Sequence, residues 1–178
     1  MSPSHHAVIF DCDGTLLRSL GMEAYNSALA KVGARPHAPE EIKRFFGTSS
    51  DKIFRKLLGD EARAREAYEH FFEIESGQVS KIVLHAGVRE LLENLKRSGV
   101  KLAVVTGRHS REVKALFNHH DLFGYFGTVI GDNLLSRPKP VAALWDEWVK
   151  PEEMAAHAPA LMARTPAEIW DWTRETIL

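Results

Sequence analysis

The chain has 178 residues, 44% of them hydrophobic, with 23 basic side chains against 24 acidic ones and a net charge of −1. That length suits one domain, or one domain carrying a small insertion, with a core that buries roughly two thirds of the unfolded surface. The even charge balance, without a basic stripe, excludes a nucleic-acid partner from the expectation. The single cysteine excludes an internal disulfide framework, and the lack of a signal-like start or apolar span predicts a cytoplasmic chain with no membrane partner.

In chain order, Ala7-Val8-Ile9-Phe10 is short, β-branched and aromatic, and ends in Asp11-Cys12-Asp13-Gly14, which predicts a buried strand. Apolar residues then recur at spacings of three and four over 22–32, 40–46, 51–58 and 61–74, between Gly and Pro breaks, and predict an all-helical block. An α/β pattern follows: a helix over 88–97 with Gly99 as its stop, a strand over 101–105 ending at Thr106, a helix capped by Ser110 and running through Phe117, and a strand over 127–130 ending at Gly131-Asp132. After the Arg137-Pro138-Lys139-Pro140 turn comes the apolar run Val141-Ala142-Ala143-Leu144. Thr165-Pro166-Ala167-Glu168 is a capping box ahead of a last helix over 169–177.

Strands alternating with helices predict a parallel α/β sheet with helices on both faces, and such sheets bind ligands beyond the carboxyl ends of their strands. Asp11, Asp13, Thr106 and Asp132 all fall there. Alternate positions share a face, so Asp11 and Asp13 are able to converge on one pocket while Cys12 points into the core. One carboxylate can attack phosphorus while the other handles the leaving-group proton. Two carboxylates so close repel unless a cation sits between them, and hard oxygen donors suit Mg²⁺. An Asx turn at a strand end is the plain structural alternative for the pair, as turn capping is for Thr106 and solvation is for Lys139. Lys139 is nevertheless stiffened by its two flanking prolines. Histidine pairs at 5–6 and 119–120 have no matching second half for a metal site and read as solvated. The four late tryptophans read as packing.

The Asp11-Cys12-Asp13-Gly14-Thr15-Leu16 run resembles the first motif of the haloacid dehalogenase superfamily of phosphohydrolases. Val104-Val105-Thr106-Gly107-Arg108 is similar to its second motif and Arg137-Pro138-Lys139-Pro140 to its third. Phe46-Gly47-Thr48 and the 85–92 stretch resemble the phosphoglycolate phosphatase and β-phosphoglucomutase group, although Ala86 stands where that group has Pro. The resemblance implies a core of residues 1–17 and 85–178 and a small helical cap of residues 18–84. It further implies a Mg²⁺-dependent phosphatase of a small phosphorylated metabolite, phosphoglycolate being the family-level guess. Asp11 is then the nucleophile, Asp13 the acid and base, and Thr106, Gly107 and Lys139 the phosphate binders. Mg²⁺ is held by the Asp11 carboxylate and the Asp13 carbonyl. A phosphomutase shares these motifs, whereas a dehalogenase lacks the second aspartate.

The resemblance breaks after Lys139. A fourth motif, a strand ending in Gly-Asp with a second acid beyond it, is expected there, but Pro140 runs straight into Val141, so that roughly 40 residues, about one helix and one strand, are missing. Three readings stay open. The natural chain is longer internally than this sequence; or the deletion is real and the protein binds phosphate compounds or a partner without turnover; or Val141 to Leu144 fills the vacant strand position, with Asp146 or Glu147 as substitute metal ligand. Gly131-Asp132 also looks like a fourth motif, but it precedes the lysine.

Overall fold

A computed structural model describes residues 7–18 and 20–134, together with residues 167, 170, 171 and 174. Three strands, β1 (Ala7–Phe10), β2 (Lys101–Val105) and β3 (Thr128–Ile130), form a parallel sheet in that order. Ala7 pairs with Lys101, Phe10 with Val104, and Val105 with Ile130, so the strands end level with one another. This register brings the residues after β1, β2 and β3 to one edge.

Helix α5 (Val88–Arg97) precedes β2 and α6 (Ser110–His119) joins β2 to β3. Both crossovers advance in the same direction, and right-handed connection then places both helices on one face of the sheet. The main core has that composition: Val8 and Phe10 from β1 and Leu102 and Val104 from β2 meet Leu91, Leu92 and Leu95 of α5 and Val113, Leu116 and Phe117 of α6. Ile9 points to the opposite face and is 55% exposed. The run 141–144, expected to add to the sheet, lies outside the described residues, as does most of the last helix; Trp170 of that segment packs against the main core. Gly99 adopts φ 76° after α5, a left-handed stop that a Cβ-bearing residue would strain. The cap of α6 differs from the expectation. His109, not Ser110, is the N-cap, its Nδ1 accepting from the Arg111 amide at 3.2 Å, because Ser110 already has helical geometry.

Between β1 and α5 lie four helices, α1 (Glu23–Lys31), α2 (Pro39–Lys43), α3 (Ser50–Leu58) and α4 (Glu61–Gly77). They bury a second core of Tyr25, Leu29, Ile42, Ile53, Phe54, Tyr68 and Phe71, with the Tyr25 and Phe71 rings 4.6 Å apart. Asp60 caps α4 by accepting from the Arg63 amide at 2.9 Å. The two connections to the sheet run side by side: the Arg18 amide donates to Val83 O at 2.9 Å and the His85 amide to Leu16 O at 3.0 Å. The helical segment therefore leaves and rejoins directly beside the Asp11 to Leu16 turn. Among the described residues no helix is long and apolar enough to cross a membrane.

Candidate active site

The turn after β1 is tight. Gly14 takes φ 71°, its amide donates to Leu17 O at 2.9 Å, and the amides of Leu16 and Leu17 both donate to Cys12 O at 2.9 Å. These bonds use the carbonyls of Cys12 and Leu17 and leave the Asp13 carbonyl outside the turn's own bonding. Cys12 is completely buried in the main core, as the alternation predicts, and burial holds its thiol well above its ordinary range. Asp11 is half-buried at the end of β1, and the Asp13 side chain is 28% exposed.

Thr106 lies buried at the end of β2, where its amide donates to Ile130 O at 3.0 Å. Its hydroxyl accepts from the Arg108 amide at 3.2 Å, the turn-capping role that the plain reading gave it. A hydroxyl accepts and donates at once, so this bond leaves its hydrogen available to an oxyanion. The next residue must be small: a Cβ on Gly107 would lie 2.9 Å from Gly47 O in the α2–α3 loop. Gly131 is equally confined, since a Cβ there would come within 2.6 Å of the Ser110 amide nitrogen. The helical segment thus rests its 46–48 loop on the second motif. Lys139, Asp146 and Glu147 lie outside the described residues.

Two sets of long-range contacts have no signal in the sequence. The first centres on Arg108, whose side chain is only 8% exposed. Its Nε donates to both Asp13 carboxylate oxygens, at 2.9 and 2.8 Å, and its Nη1 donates to both Glu75 oxygens, at 2.8 and 2.7 Å. Nη1 also reaches Glu112 Oε2 at 3.4 Å. Burial opposes the charge of Arg108, but Asp13, Glu75 and Glu112 outweigh it and hold the guanidinium protonated. Glu112 is pushed up to about 8, first by burial and then by the neighbouring Glu75 charge, against the pull of Arg108. Arg108 and Glu112 stand four apart on one helical face, which the sequence displays. Glu75 arrives from the end of α4, 33 residues earlier, with no local signal.

The second centres on Asp132. This residue is buried, and its Oδ2 accepts from Lys52 Nζ at 2.6 Å and from the Ser49 amide at 3.1 Å. Burial alone would raise its pKa, but the bonds from Lys52 and Ser49 lower it below the usual carboxylate range. Asp132 therefore fastens the helical segment to the end of β3 and is committed to that contact. Arg111 adds a third fastening, to Glu69 at 2.7 Å, with its guanidinium 3.8 Å from the Phe72 ring centroid. His120, read as solvated, instead has its Nε2 2.6 Å from Ile82 O and is half-buried; the α6 C-terminus packs against the returning chain there.

A parallel sheet whose strand ends gather two aspartates, a threonine and a glycine beneath a helical segment defines an open α/β protein with its candidate site at the carboxyl edge of the sheet. The family model for haloacid dehalogenase-like hydrolases matches residues 8–162, and the chain belongs to that family. Among curated relatives it is 29% identical over 143 residues to a phosphoglycolate phosphatase of Pseudomonas fluorescens, covering 75% of this chain and 53% of that protein. It is 28% identical over 154 residues to one of Vibrio parahaemolyticus, covering 78% and 67%. The chain thus spans about half to two thirds of the length of these relatives. A predicted phosphoglycolate phosphatase from Haemophilus somnus superposes with a TM-score of 0.66 at 24% identity, covering 78% of this chain and 68% of that one. CbbY from Rhodobacter sphaeroides, in complex with phosphate, superposes with a TM-score of 0.65 at 24% identity, covering 77% and 68%. At that identity the two structures speak for the fold alone.

Proposed function

We propose that the chain is a Mg²⁺-dependent phosphatase acting on a small phosphorylated metabolite, with residues 18–84 as its cap. The observation that carries this reading is the convergence at one sheet edge of Asp11 and Asp13 after β1 with Thr106 and Gly107 after the adjacent β2. Curated relatives named phosphoglycolate phosphatase make a phosphorylated small acid the first substrate class to try.

In the proposed sequence an Asp11 oxygen attacks phosphorus, the bond from phosphorus to the leaving oxygen breaks, and Asp13 delivers a proton to that oxygen. Asp13 then takes a proton from water, whose oxygen displaces the Asp11 carboxylate from phosphorus and releases inorganic phosphate. The Thr106 hydroxyl, the Gly107 amide and Lys139 hold the non-bridging oxygens. The donor set fits a hard cation: the Asp11 carboxylate and the Asp13 carbonyl, which the turn leaves outside its own bonding. These two would hold Mg²⁺, which supplies charge stabilisation at the phosphoryl oxygens. The test is Mg²⁺-dependent hydrolysis of p-nitrophenyl phosphate by protein of verified intact mass. We expect turnover in the wild type and none in Asp11→Asn, and a wild type inert with every divalent metal removes the proposal.

A second reading, phosphate binding without turnover, has one observation in its favour. Asp132, the acid after β3, is occupied by Lys52 and Ser49 and so is committed elsewhere than to the place of the fourth-motif ligand expected after Lys139. Phosphate binding measured by calorimetry in a chain that shows no hydrolysis would favour it.

A further inference from the structure

Arg108 is bound by acidic side chains from three separate elements: Asp13 in the turn after β1, Glu75 in the last turn of α4, and Glu112 in the first turn of α6. The guanidinium is planar, so the Nη1 contact to Glu75 fixes the direction in which Nε meets Asp13. Arg108 does not swing on a free stem: it is 8% exposed, and its own amide is held on the Thr106 hydroxyl at 3.2 Å. Glu75, 7% exposed at its side chain, has its two oxygens on Nη1. A buried ion pair is a poor device for stability, because desolvating both charges offsets most of their attraction. A planar guanidinium held at Nε by one carboxylate and at Nη1 by another is, by contrast, a good device for fixing their relative geometry.

We propose that Arg108 is a positioning residue for Asp13, and that Glu75 sets it from the helical segment, so that the acid-base carboxylate is aligned when that segment rests on the sheet edge. This inference rests on the reading of Asp13 as proton donor and acceptor. It assigns to the cap a part in the chemical step through Glu75, whose carboxylate is bonded to Arg108. Lysine at 108 is a point charge on a flexible stem and cannot meet both carboxylates in one plane.

The experiment first establishes that the wild type turns over p-nitrophenyl phosphate with Mg²⁺ and that Asp11→Asn does not; failure there removes the phosphatase reading itself. In the active protein, Glu75→Gln and Arg108→Met are each expected to lower kcat by about 10- to 100-fold, the scale of a misplaced catalytic group. KM should stay within about threefold, because a positioning defect acts on the chemical step rather than on binding. Arg108→Lys should not recover the loss. Glu75→Gln introduced into Arg108→Met should then change kcat by less than about twofold, since the two act as one unit. Multiplying losses overturn the inference, as does an unchanged kcat in Glu75→Gln or a rise in KM alone, which marks substrate binding instead. If Glu75→Gln does not fold, judged by its near-ultraviolet circular dichroism, Glu75→Asp takes its place. That variant withdraws the carboxylate by one methylene, and the same non-additivity with Arg108→Met is expected.

Discussion

Replacing Asp132 with alanine removes two bonds that fasten the helical segment to the end of β3. The Ser49 amide, on a completely buried residue, loses the acceptor that lies 3.1 Å away; stranding such a donor costs about 1–3 kcal/mol. Lys52 is 36% exposed, so water recovers much of its solvation and the lost ion pair is worth about 1 kcal/mol. Together they predict a destabilisation of about 2–4 kcal/mol, which for a chain of this size lowers the unfolding midpoint by about 5–12 °C. Asp132→Asn keeps an oxygen for Ser49 and loses only the charge, so it should cost about 1 kcal/mol. The folded pKa of Asp132 lies below its usual 3.8, so its contribution is present above that value and fades as the pH falls through the lower, folded one. Urea and thermal unfolding at neutral pH and near pH 3 make the test. If Asp132→Ala lies within about 0.5 kcal/mol of the wild type at neutral pH, the latch has no energetic substance.

Glu112 acts in the opposite sense. Its folded pKa of about 8 lies above its ordinary 4.5, so the folded chain binds the extra proton and stability falls as the pH rises between those values. Glu112→Gln, unfolded thermally at pH values spanning that interval, should show a flatter slope than the wild type, and an unchanged slope sinks the assignment. Gly107→Ala drives a Cβ to 2.9 Å from Gly47 O, which only a shift of the 46–48 loop relieves. Steady-state kinetics with an aryl phosphate should show kcat/KM reduced by about 10- to 100-fold, and wild-type kinetics in the variant refute the claim of a tight seat. Cys12 is buried and its thiol is held protonated. It should therefore react with a disulfide reagent only after denaturant is added; rapid labelling of native protein contradicts the placement.

The legible parts of this molecule are the ones that local chemistry dictates. Ala7 to Phe10, Lys101 to Val105 and the amphipathic run from Val88 to Arg97 carry period and punctuation strong enough to give their elements to within a residue. The placement of Asp11, Asp13, Thr106 and Gly107 together was legible because each follows a strand, and strand ends in a parallel sheet meet at one edge. What sequence reading missed depends on long-range contact. No spacing foretells that Glu75 reaches Arg108, or that Lys52 and Ser49 occupy Asp132, because those partners are 33 to 83 positions apart. The N-cap at His109 was missed for a different reason: serine is the better cap by propensity, and the turn after Thr106 places histidine there instead.

The measurement that bears most directly on the central claim is the mass of the peptide containing residues 7–18 after rapid acid quench of the protein turning over a phosphate ester. A fraction of that peptide is expected to carry one phosphoryl group, placed on Asp11 by fragmentation and absent from Asp11→Asn. Turnover that proceeds with no such adduct, or that persists at wild-type rate in Asp11→Asn, contradicts that claim.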